Sequence, residues 1–351
     1  MKKTIFVVDD SITNLSMVEN ALHDYYRVVS LTSASKMFEA LEQIKADMIL
    51  LDIEMPEMSG FDALKKLKDS LTYAEIPVMF LSSVSDTASE AHGIKLGAVD
   101  FVLKPFCEAV LLNRIRTHLH IDEIIRYRTE ELVARADELL LLRNGIVFTM
   151  ADLVENRDKN TGGHIDRTAI FMRILLNEML VHMVYADEMS RLDIDMVVSS
   201  ARLHDIGKIA ISDSILNKPG KLSQEEFEIM KTHSTEGEDI IAKAISRTGN
   251  TEFLLCAKVI AAYHHERWDG KGYPYGLAGV DIPLLGRIMA IIDVYDALVS
   301  ERPYKKPFTH EEAIDIITRE SGQHFDPLIT NTFVKMSEEK LNKGEMKDVT
   351  V

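Results

Sequence analysis

The sequence lacks most of the features that mark secreted, membrane or nucleic-acid-binding proteins. Only Cys107 and Cys256 occur among 351 residues, so no disulfide framework is indicated and a reducing cytoplasm is expected. The longest apolar runs, such as residues 48–51, are as long as a β-strand, so no membrane-spanning helix is predicted. Residues 1–4 lead into a strand without the apolar core of a signal peptide.

Positive charge is also scarce. Lys and Arg number 40 against 56 Asp and Glu, which gives a net charge of −16. This balance argues against general nucleic-acid binding and predicts no DNA partner. An anionic phosphodiester substrate would therefore need metal ions and local basic residues to overcome the repulsive field of the protein.

The length predicts more than one domain. A chain of 351 residues exceeds the usual size of one domain, and 46% hydrophobic with 27% charged residues is ordinary for a soluble protein. We expect a first domain over residues 1–120, a helical linker over 121–147 and a second domain over 148–345.

The first domain alternates strand-like and helix-like segments. Apolar runs predict strands at residues 4–8, 48–52, 78–81 and 100–103, and helices lie between them, for example at 14–22 and 88–96. Strands that alternate with helices indicate a parallel, doubly wound α/β sheet. Ligands of such sheets bind beyond the carboxyl ends of the strands.

Acidic side chains follow these predicted strands. Asp9, Asp10 and Asp52 are joined there by Ser82 and Lys104. Three carboxylates need a cation to share one site, and Mg²⁺ prefers such oxygen ligands. A carboxylate can also attack a phosphoryl group, which Lys104 could neutralise and Ser82 could hydrogen-bond. The alternative is that these acids merely cap helices. That alternative accounts for the first two aspartates better than for the whole set.

This pattern resembles the receiver domain of response regulators over its full length. The resemblance implies a five-stranded parallel sheet and a phosphoacceptor, Asp52, that a sensor histidine kinase phosphorylates. It implies that Asp9, Asp10 and Asp52 hold Mg²⁺. Ser82, Phe101 and Lys104 match the switch positions and the lysine of the family.

The segment after residue 107 predicts a long helix. Apolar residues recur every seven positions at Ile125, Leu132, Leu139 and Ile146. That spacing is typical of a coiled-coil seam, although Arg128 and Arg135 interrupt the second apolar column. A parallel dimeric helix that transmits the state of the receiver and makes the chain a homodimer is our hypothesis. A single amphipathic helix packed on one domain is the alternative.

The second domain is rich in helical patterns and poor in strand patterns. Helices are expected around residues 197–204, 224–233, 254–264 and 287–299, with Ser223 as the N-cap of the second. We therefore predict an all-helical domain, in which facing helices can supply metal ligands.

Seven potential metal ligands lie in this half of the chain: His164, His204, Asp205, His233, His264, His265 and Asp293. Imidazoles with carboxylates suit Fe, Mn, Co or Zn. Sites with two such ions hydrolyse phosphate esters. In the pair His204-Asp205, the carboxylate can bridge two ions, and Lys208 one turn later can face the same pocket.

The His-Asp pair and the spaced histidines resemble the HD phosphohydrolase superfamily. Gly272-Tyr273-Pro274 narrows the resemblance to the HD-GYP family, which matches roughly residues 147–335. The resemblance implies hydrolysis of cyclic di-GMP to pGpG, and in some members on to GMP. It carries over all seven metal ligands, with Asp205 as the bridge. It also assigns Arg302 and Lys305 to the phosphates of the ligand and Tyr273 to the signature loop.

One position departs from part of that family. Some members carry a Glu four residues before the first metal-binding histidine, where it supports a third metal. Here the position is Asn160, so we predict two divalent transition metals, Fe or Mn. The expected mechanism is attack of an activated water on phosphorus, with Asp205 and Lys208 as catalytic residues.

Three other functions are considered. The substrate could be another cyclic dinucleotide such as cyclic GMP-AMP, because the pocket walls that distinguish bases are not apparent from the sequence. A catalytically weak signalling scaffold that contacts diguanylate cyclases would be expected to have lost a ligand, and none is lost. Nucleotide triphosphate hydrolysis is disfavoured by the Gly-Tyr-Pro loop. The sequence does not predict whether phosphorylation activates or inhibits.

Overall fold

The computed structural model of the chain describes residues 2–83, 87–158, 163–300 and 306–342. The chain divides into two compact units, Met1–Asp137 and Glu138–Val351. Each unit has its own hydrophobic core, as expected for a domain.

The first unit contains the predicted parallel sheet. Its strands are β1 (Thr4–Val8), β2 (Arg27–Leu31), β3 (Met48–Asp52), β4 (Val78–Ser82) and β5 (Asp100–Leu103), in the spatial order β2-β1-β3-β4-β5. All four pairings are parallel. Residues of β1, β3 and β4 are buried throughout, as expected for strands covered on both faces. The five-stranded doubly wound fold is therefore confirmed.

Helices cover both faces of this sheet. They are α1 (Ile12–Leu22), α2 (Ala34–Leu41), α3 (Gly60–Lys68), α4 (Thr87–Lys95) and the first turns of α5 (Glu108–Glu155). Because side chains of a strand alternate between faces, Phe6 and Ile49 pack with α2 and α3, and Ile5 and Met48 pack with α1 and α5. Each fully buried side chain of this kind contributes about 1.5–3 kcal/mol.

Helix α5 is 48 residues long, which confirms the predicted long helix. The seven-residue apolar column remains exposed along it: Ile125 59%, Leu132 66%, Leu139 65% and Ile146 51%. This apolar column therefore faces solvent rather than a hydrophobic core. No helix among the described residues combines the length and apolarity needed to cross a membrane.

The described part of the second unit is helical, and its strand pairing is limited to isolated bridges. Its helices are α6 (His164–Val181), α7 (Ala186–Met189), α8 (Ile194–Ala201), α9 (Asp213–Leu216), α10 (Gln224–Lys231), α11 (His233–Thr248), α12 (Glu252–Tyr263), α13 (Leu284–Val299), α14 (His310–Arg319) and α15 (Pro327–Asn342). Short 3₁₀ helices occupy Ile206–Ala210 and Gly279–Asp281. The all-helical prediction is confirmed.

The core of this unit surrounds α13. Tyr295 is fully buried and packs edge-on against Phe171 of α6 and Phe333 of α15, with ring centroids 5.1 and 5.2 Å away. Edge-to-face aromatic pairs add about 0.5–1.5 kcal/mol each beyond their buried area. Helices α6 and α13 are thereby held side by side.

One predicted helix is divided in two. The segment predicted to be helical over residues 224–233 forms α10, which begins with a Ser223–Glu226 capping box and ends at Lys231. His233 begins the next helix, α11. His164 likewise begins α6, and His264 is the C-cap of α12. The histidines of the second unit therefore lie mainly at helix ends.

Candidate metal centre and acidic cluster

Helix ends and one helix face bring five of the seven predicted ligands, all but His204 and His264, to the wall of one cleft. An open cleft of about 490 Å³ is lined by His164, Asp205, His233, His265 and Asp293, together with Asp158, Lys208 and Tyr273. His204 lies beneath it and contacts His164. His264 lies beneath it as well and contacts His233.

The first group of donors is His164, His204 and Asp205, whose ligand atoms lie within 4.8 Å of one another. The Nε2 atoms of His164 and His204 are 3.1 Å apart. Oδ1 of Asp293 lies 3.5 Å from Nε2 of His164. Two imidazoles and two carboxylates thus face a common point.

The second group is His233, His264 and His265, which satisfies the same distance limit. The Nε2 atoms of His233 and His264 are 3.3 Å apart, and the rings of His264 and His265 have centroids 4.0 Å apart. Burial lowers the pKa of His264 to about 3, and burial likewise lowers the pKa of His233 and His265. These imidazoles are therefore neutral at pH 7, which is the form that binds metals.

Asp205 lies between the two groups. Its Oδ2 is 3.3 Å from Nε2 of His204, and its Oδ1 is 3.4 Å from Nε2 of His233. Burial alone would raise the pKa of this carboxyl, but Lys208 and His204 hold it well below its usual range. An ionised carboxylate with one oxygen toward each group has the geometry of a bridge between two cations.

The second ring nitrogen of each buried histidine is also engaged. Three histidines direct Nδ1 to a backbone carbonyl: His204 to Ala201 at 3.0 Å, His233 to Met230 at 2.8 Å and His264 to Ala261 at 3.0 Å. Such bonds leave Nε2 free to face a metal. The donor set, its burial and its tautomers fit two divalent transition metals.

His164 is held differently, by residues that were not among the predicted site residues. Its Nδ1 lies 2.7 Å from Oδ2 of Asp296, which is buried in α13. Arg167 Nε donates to the other oxygen of Asp296 at 2.6 Å. Burial acts to raise the pKa of Asp296, but the bonds from His164 and Arg167 lower it.

Lys208 lies in the cleft, as predicted, and is paired with two acids. Its Nζ is 2.8 Å from Oδ2 of Asp205 and 2.9 Å from Oδ2 of Asp158. Burial would lower its pKa, yet the two carboxylates raise it. The lysine therefore stays charged beside the bridge position.

The signature loop is fixed by Glu266, which is 2% exposed. Its carboxylate accepts hydrogen bonds from three backbone amides, those of Tyr275 at 2.7 Å, Gly276 at 3.1 Å and Leu277 at 3.0 Å. The loop places the Tyr273 ring against His265, with centroids 4.7 Å apart. A Cβ at Gly272 would lie 2.3 Å from the backbone nitrogen of Arg267, so only glycine fits there.

Three predicted positions lie outside the described residues: Asn160, Arg302 and Lys305. Their roles remain predictions from the sequence.

The first unit has its own acidic cluster at the carboxyl ends of the strands. Ligand oxygens of Asp9, Asp10 and Asp52 lie within 4.8 Å of one another. Lys104 Nζ is 2.6 Å from Asp9 and 3.0 Å from Asp52. Burial raises the pKa of Asp52 despite the nearby lysine. A carboxylate cluster of this kind suits Mg²⁺.

The two predicted switch residues lie on the neighbouring strands β4 and β5. Ser82 ends β4 and is 1% exposed, and Phe101 in β5 is 5% exposed. The Phe101 ring packs against Phe80, with centroids 5.9 Å apart. Both are buried, but only Ser82 lies at the carboxyl end of its strand, as Asp52 does, whereas Phe101 pairs with Phe80 in the interior of the sheet.

Comparisons with known proteins agree with this division. Residues 5–116 match the response regulator receiver domain, and residues 149–329 match the HD domain. A probable cyclic di-GMP phosphodiesterase of Vibrio cholerae serotype O1 is 42% identical over 94% of this chain and 77% of its own length. The cyclic di-GMP phosphodiesterase response regulator RpfG of Xanthomonas campestris pv. campestris is 30% identical over 94% of this chain and 87% of its own.

A third relative differs in its named substrate. The 3'3'-cGAMP-specific phosphodiesterase 2 of Vibrio cholerae is 41% identical over 54% of this chain and 34% of its own length. Both family matches, and relatives that align along nearly the whole chain, lead to one assignment. The chain belongs to the HD-domain family, in its HD-GYP group, and carries a response regulator receiver domain in its first unit.

Proposed function

We propose that this protein is a response regulator whose phosphorylation on Asp52 controls metal-dependent hydrolysis of cyclic di-GMP to pGpG. Hydrolysis of pGpG to GMP would be a second reaction. The observation that carries the proposal is Asp205, which directs one carboxylate oxygen to each of two histidine groups in one open cleft. Relatives that match nearly the whole chain carry this activity in their names.

Two divalent transition metals, Fe or Mn, are the proposed cofactors of the cleft. His164, His204 and Asp293 would hold one ion, His233, His264 and His265 the other, and Asp205 both. When bound, such ions activate a water and stabilise charge on the phosphoryl oxygens. In the first unit, Asp9, Asp10 and Asp52 would hold Mg²⁺.

The remaining residues orient and neutralise the substrate. Lys208 places a permanent positive charge beside Asp205, where charge would build on the phosphoryl group. Arg302 and Lys305 are proposed to bind the phosphates. Tyr273, against His265, would form the wall of the cleft that a nucleotide contacts.

The test is turnover of cyclic di-GMP after anaerobic reconstitution with Fe²⁺ or Mn²⁺. Asp205→Ala removes the bridge and is expected to abolish turnover. Asp195→Asn, at a residue whose side chain is 81% exposed, should leave turnover unchanged. Retained activity in a metal-replete Asp205→Ala protein would refute the mechanism.

Cyclic GMP-AMP is the second candidate substrate, because one relative named for it is 41% identical over the matched region. The two molecules share their phosphodiester linkages, so the metal ligands do not distinguish them. Side-by-side kcat/KM values decide between them. A kcat/KM for cyclic GMP-AMP more than about tenfold above that for cyclic di-GMP would replace the first proposal.

A scaffold without catalysis is disfavoured because all seven candidate ligands are retained.

Control by phosphorylation is proposed from the acidic cluster. A sensor histidine kinase would phosphorylate Asp52, whose charge is flanked by Lys104 at 3.0 Å. Phosphodiesterase rates with and without beryllofluoride, in the wild type and in Asp52→Asn, give the sign of regulation. Identical rates in all four conditions would contradict this control.

Further partners and boundaries also belong to the proposal. The exposed apolar column of α5 supports a parallel homodimer, and light scattering that shows a concentration-independent monomer with and without beryllofluoride would contradict it. The signature loop, with Tyr275 50% exposed, offers a surface for diguanylate cyclases.

We propose a receiver over residues 1–120, a linker over 121–147, a phosphohydrolase domain over 148–345 and a cytoplasmic location.

A further inference from the structure

The candidate metal-binding histidines differ in the hydrogen-bond partner of their Nδ1 atoms. His204, His233 and His264 each direct Nδ1 to a backbone carbonyl, which is neutral. His164 directs Nδ1 to the carboxylate of Asp296 at 2.7 Å. Among these four histidines, His164 alone is backed by an ionised side chain.

Asp296 is itself held on both oxygens. Arg167 donates from Nε to Oδ1 at 2.6 Å and from its terminal nitrogen to Oδ2 at 3.0 Å. Ser300 adds a hydroxyl donor to Oδ2 at 3.2 Å. The carboxylate is 2% exposed, so this geometry is shielded from water. This bidentate guanidinium–carboxylate interaction fixes both the position and the plane of the carboxylate.

Helical spacing creates this arrangement. His164 and Arg167 are three residues apart on α6, and Asp293 and Asp296 are three residues apart on α13. Residues at that spacing share one helix face. The two faces meet, so that His164 contacts Asp293 through Nε2 and Asp296 through Nδ1.

The carboxylate determines which nitrogen of His164 carries the proton. Asp296 is ionised and accepts a hydrogen bond, so the proton lies on Nδ1 and the lone pair of Nε2 faces the other ligands. Because Arg167 neutralises Asp296, the pair acts on the tautomer and orientation of the ring rather than on the net charge of the metal group.

We propose that Asp296, fixed by Arg167, is a positioning residue that holds His164 in the metal-binding tautomer and thereby sets the affinity of the ion bound by His164, His204 and Asp205. The inference rests on the metal site of the proposed function and not on its substrate. Among the described residues, no hydrogen bond or ion pair joins His233, His264 or His265, which would hold the second ion, to this pair.

Asp296→Asn is the decisive variant. Arg167 donates to both oxygens of Asp296, so the new amide group faces an Arg167 donor in either orientation. With the amide group at the Oδ2 position it also faces Nδ1 of His164, which favours the tautomer with the proton on Nε2. Asp195→Asn is the matched control, because it also breaks an Asp–Arg pair, on the surface with Arg173.

The full-length chain, stripped of metal, is titrated with Mn²⁺ in competition with a chelator, with excess Mg²⁺ present to occupy the cluster of Asp9, Asp10 and Asp52. In Asp296→Asn, the affinity for one of two ions should fall about 10- to 100-fold while that for the other stays within about threefold. Imidazole ¹⁵N shifts of the metal-free protein should show His164 protonated on Nδ1 in the wild type and a smaller fraction of that tautomer in the variant. The control should match the wild type.

Arg167→Lys tests the same support if Asp296→Asn does not fold. Lysine keeps the positive charge but cannot make the bidentate interaction with Asp296. The affinity for one ion should therefore fall about 3- to 10-fold. Unchanged affinity for both ions, equal loss of both, or a wild type that binds no Mn²⁺ would each overturn the inference. A wild type that binds two ions without hydrolysing cyclic dinucleotides would overturn the proposed function and leave this inference standing.

Discussion

Asp158 and Lys208 form an ion pair at the edge of the candidate metal centre, with Oδ2 2.9 Å from Nζ. Asp158 is 7% exposed and lies 50 residues before its partner in sequence. The same ammonium group contacts Asp205 at 2.8 Å. The Lys208 ammonium group is therefore held between the carboxylates of Asp158 and Asp205.

Asp158→Asn should reduce kcat about 10- to 100-fold with a smaller change in KM. Without its second counter-charge, the ammonium group would move toward Asp205 and away from the proposed position of the phosphoryl group, and misplacement by about 1 Å can cost such a factor. Steady-state kinetics with metal analysis provide the measurement. A variant with full metal content and unchanged kcat would show that Asp158 does not position Lys208.

Gly207→Ala should destabilise the second unit and disturb its metal site. An added Cβ would lie 1.9 Å from the carbonyl oxygen of His233 and 2.4 Å from the nitrogen of Gly237, both backbone atoms. Overpacking costs about 1–3 kcal/mol, or roughly 2–12 °C in the melting temperature of a domain of this size.

Gly145→Ala is the matched control for that substitution. Gly145 lies within α5, and an added Cβ meets nothing within 4 Å. Its melting temperature should stay equal or rise slightly, because alanine favours helices over glycine by about 1 kcal/mol. Equal melting of both variants would contradict the close packing at Gly207.

Glu266→Gln should loosen the signature loop. Both carboxylate oxygens accept backbone amides, so the new side-chain amide group would face a donor and leave it unpaired. An unsatisfied buried donor costs about 1–3 kcal/mol, which predicts roughly 5- to 150-fold faster amide exchange at residues 275–277. Hydrogen exchange by mass spectrometry is the measurement. Glu228→Gln on α10 is the exposed control, and equal exchange in both variants would refute the role of Glu266.

The stability of the first unit should depend on pH through Asp100. Burial acts to raise the pKa of Asp100, but hydrogen bonds from the Phe101 amide, His118 and Arg114 lower it. A carboxyl with a lowered folded pKa stabilises the fold above its unfolded pKa, about 3.9. That contribution is lost as pH falls through the folded value.

Unfolding of the full-length wild type and Asp100→Asn should therefore differ most above the unfolded pKa of about 3.9 and converge as pH falls through the lower folded value. Denaturant titrations followed by a probe in the first unit give the difference at each pH. A constant difference across this range would mean that ionisation of Asp100 contributes nothing to stability.

The fold was predictable where local sequence and tertiary packing agree. Met48–Asp52 is buried on both sides, and its continuous apolar run predicted a strand correctly. Arg27–Leu31 was not located, because an edge strand that is partly exposed has no such run. The end of α10 was misplaced by two residues, because nothing in the local pattern shows that His233 starts a new helix.

The candidate site was predictable in part. The order of the histidines and aspartates indicated the residues that the structure brings together. Asp296 and Arg167 were missed, since their role depends on two helix faces that meet only in the folded chain. The paired three-residue spacings, His164 with Arg167 and Asp293 with Asp296, were the available signal. Glu266 was missed because its partners are backbone amides, which have no signature in sequence.

The placement of the candidate ligands on separate helices has a thermodynamic consequence. Residues 164 and 293 are 129 positions apart, so bound ions would act as cross-links over most of the second unit. At a hundredfold excess over its dissociation constant, each ion adds about 2.7 kcal/mol to stability. The stability of the second unit would then follow the free metal concentration of the cell, so that starvation for metal would lower the folded fraction of the protein as well as its activity.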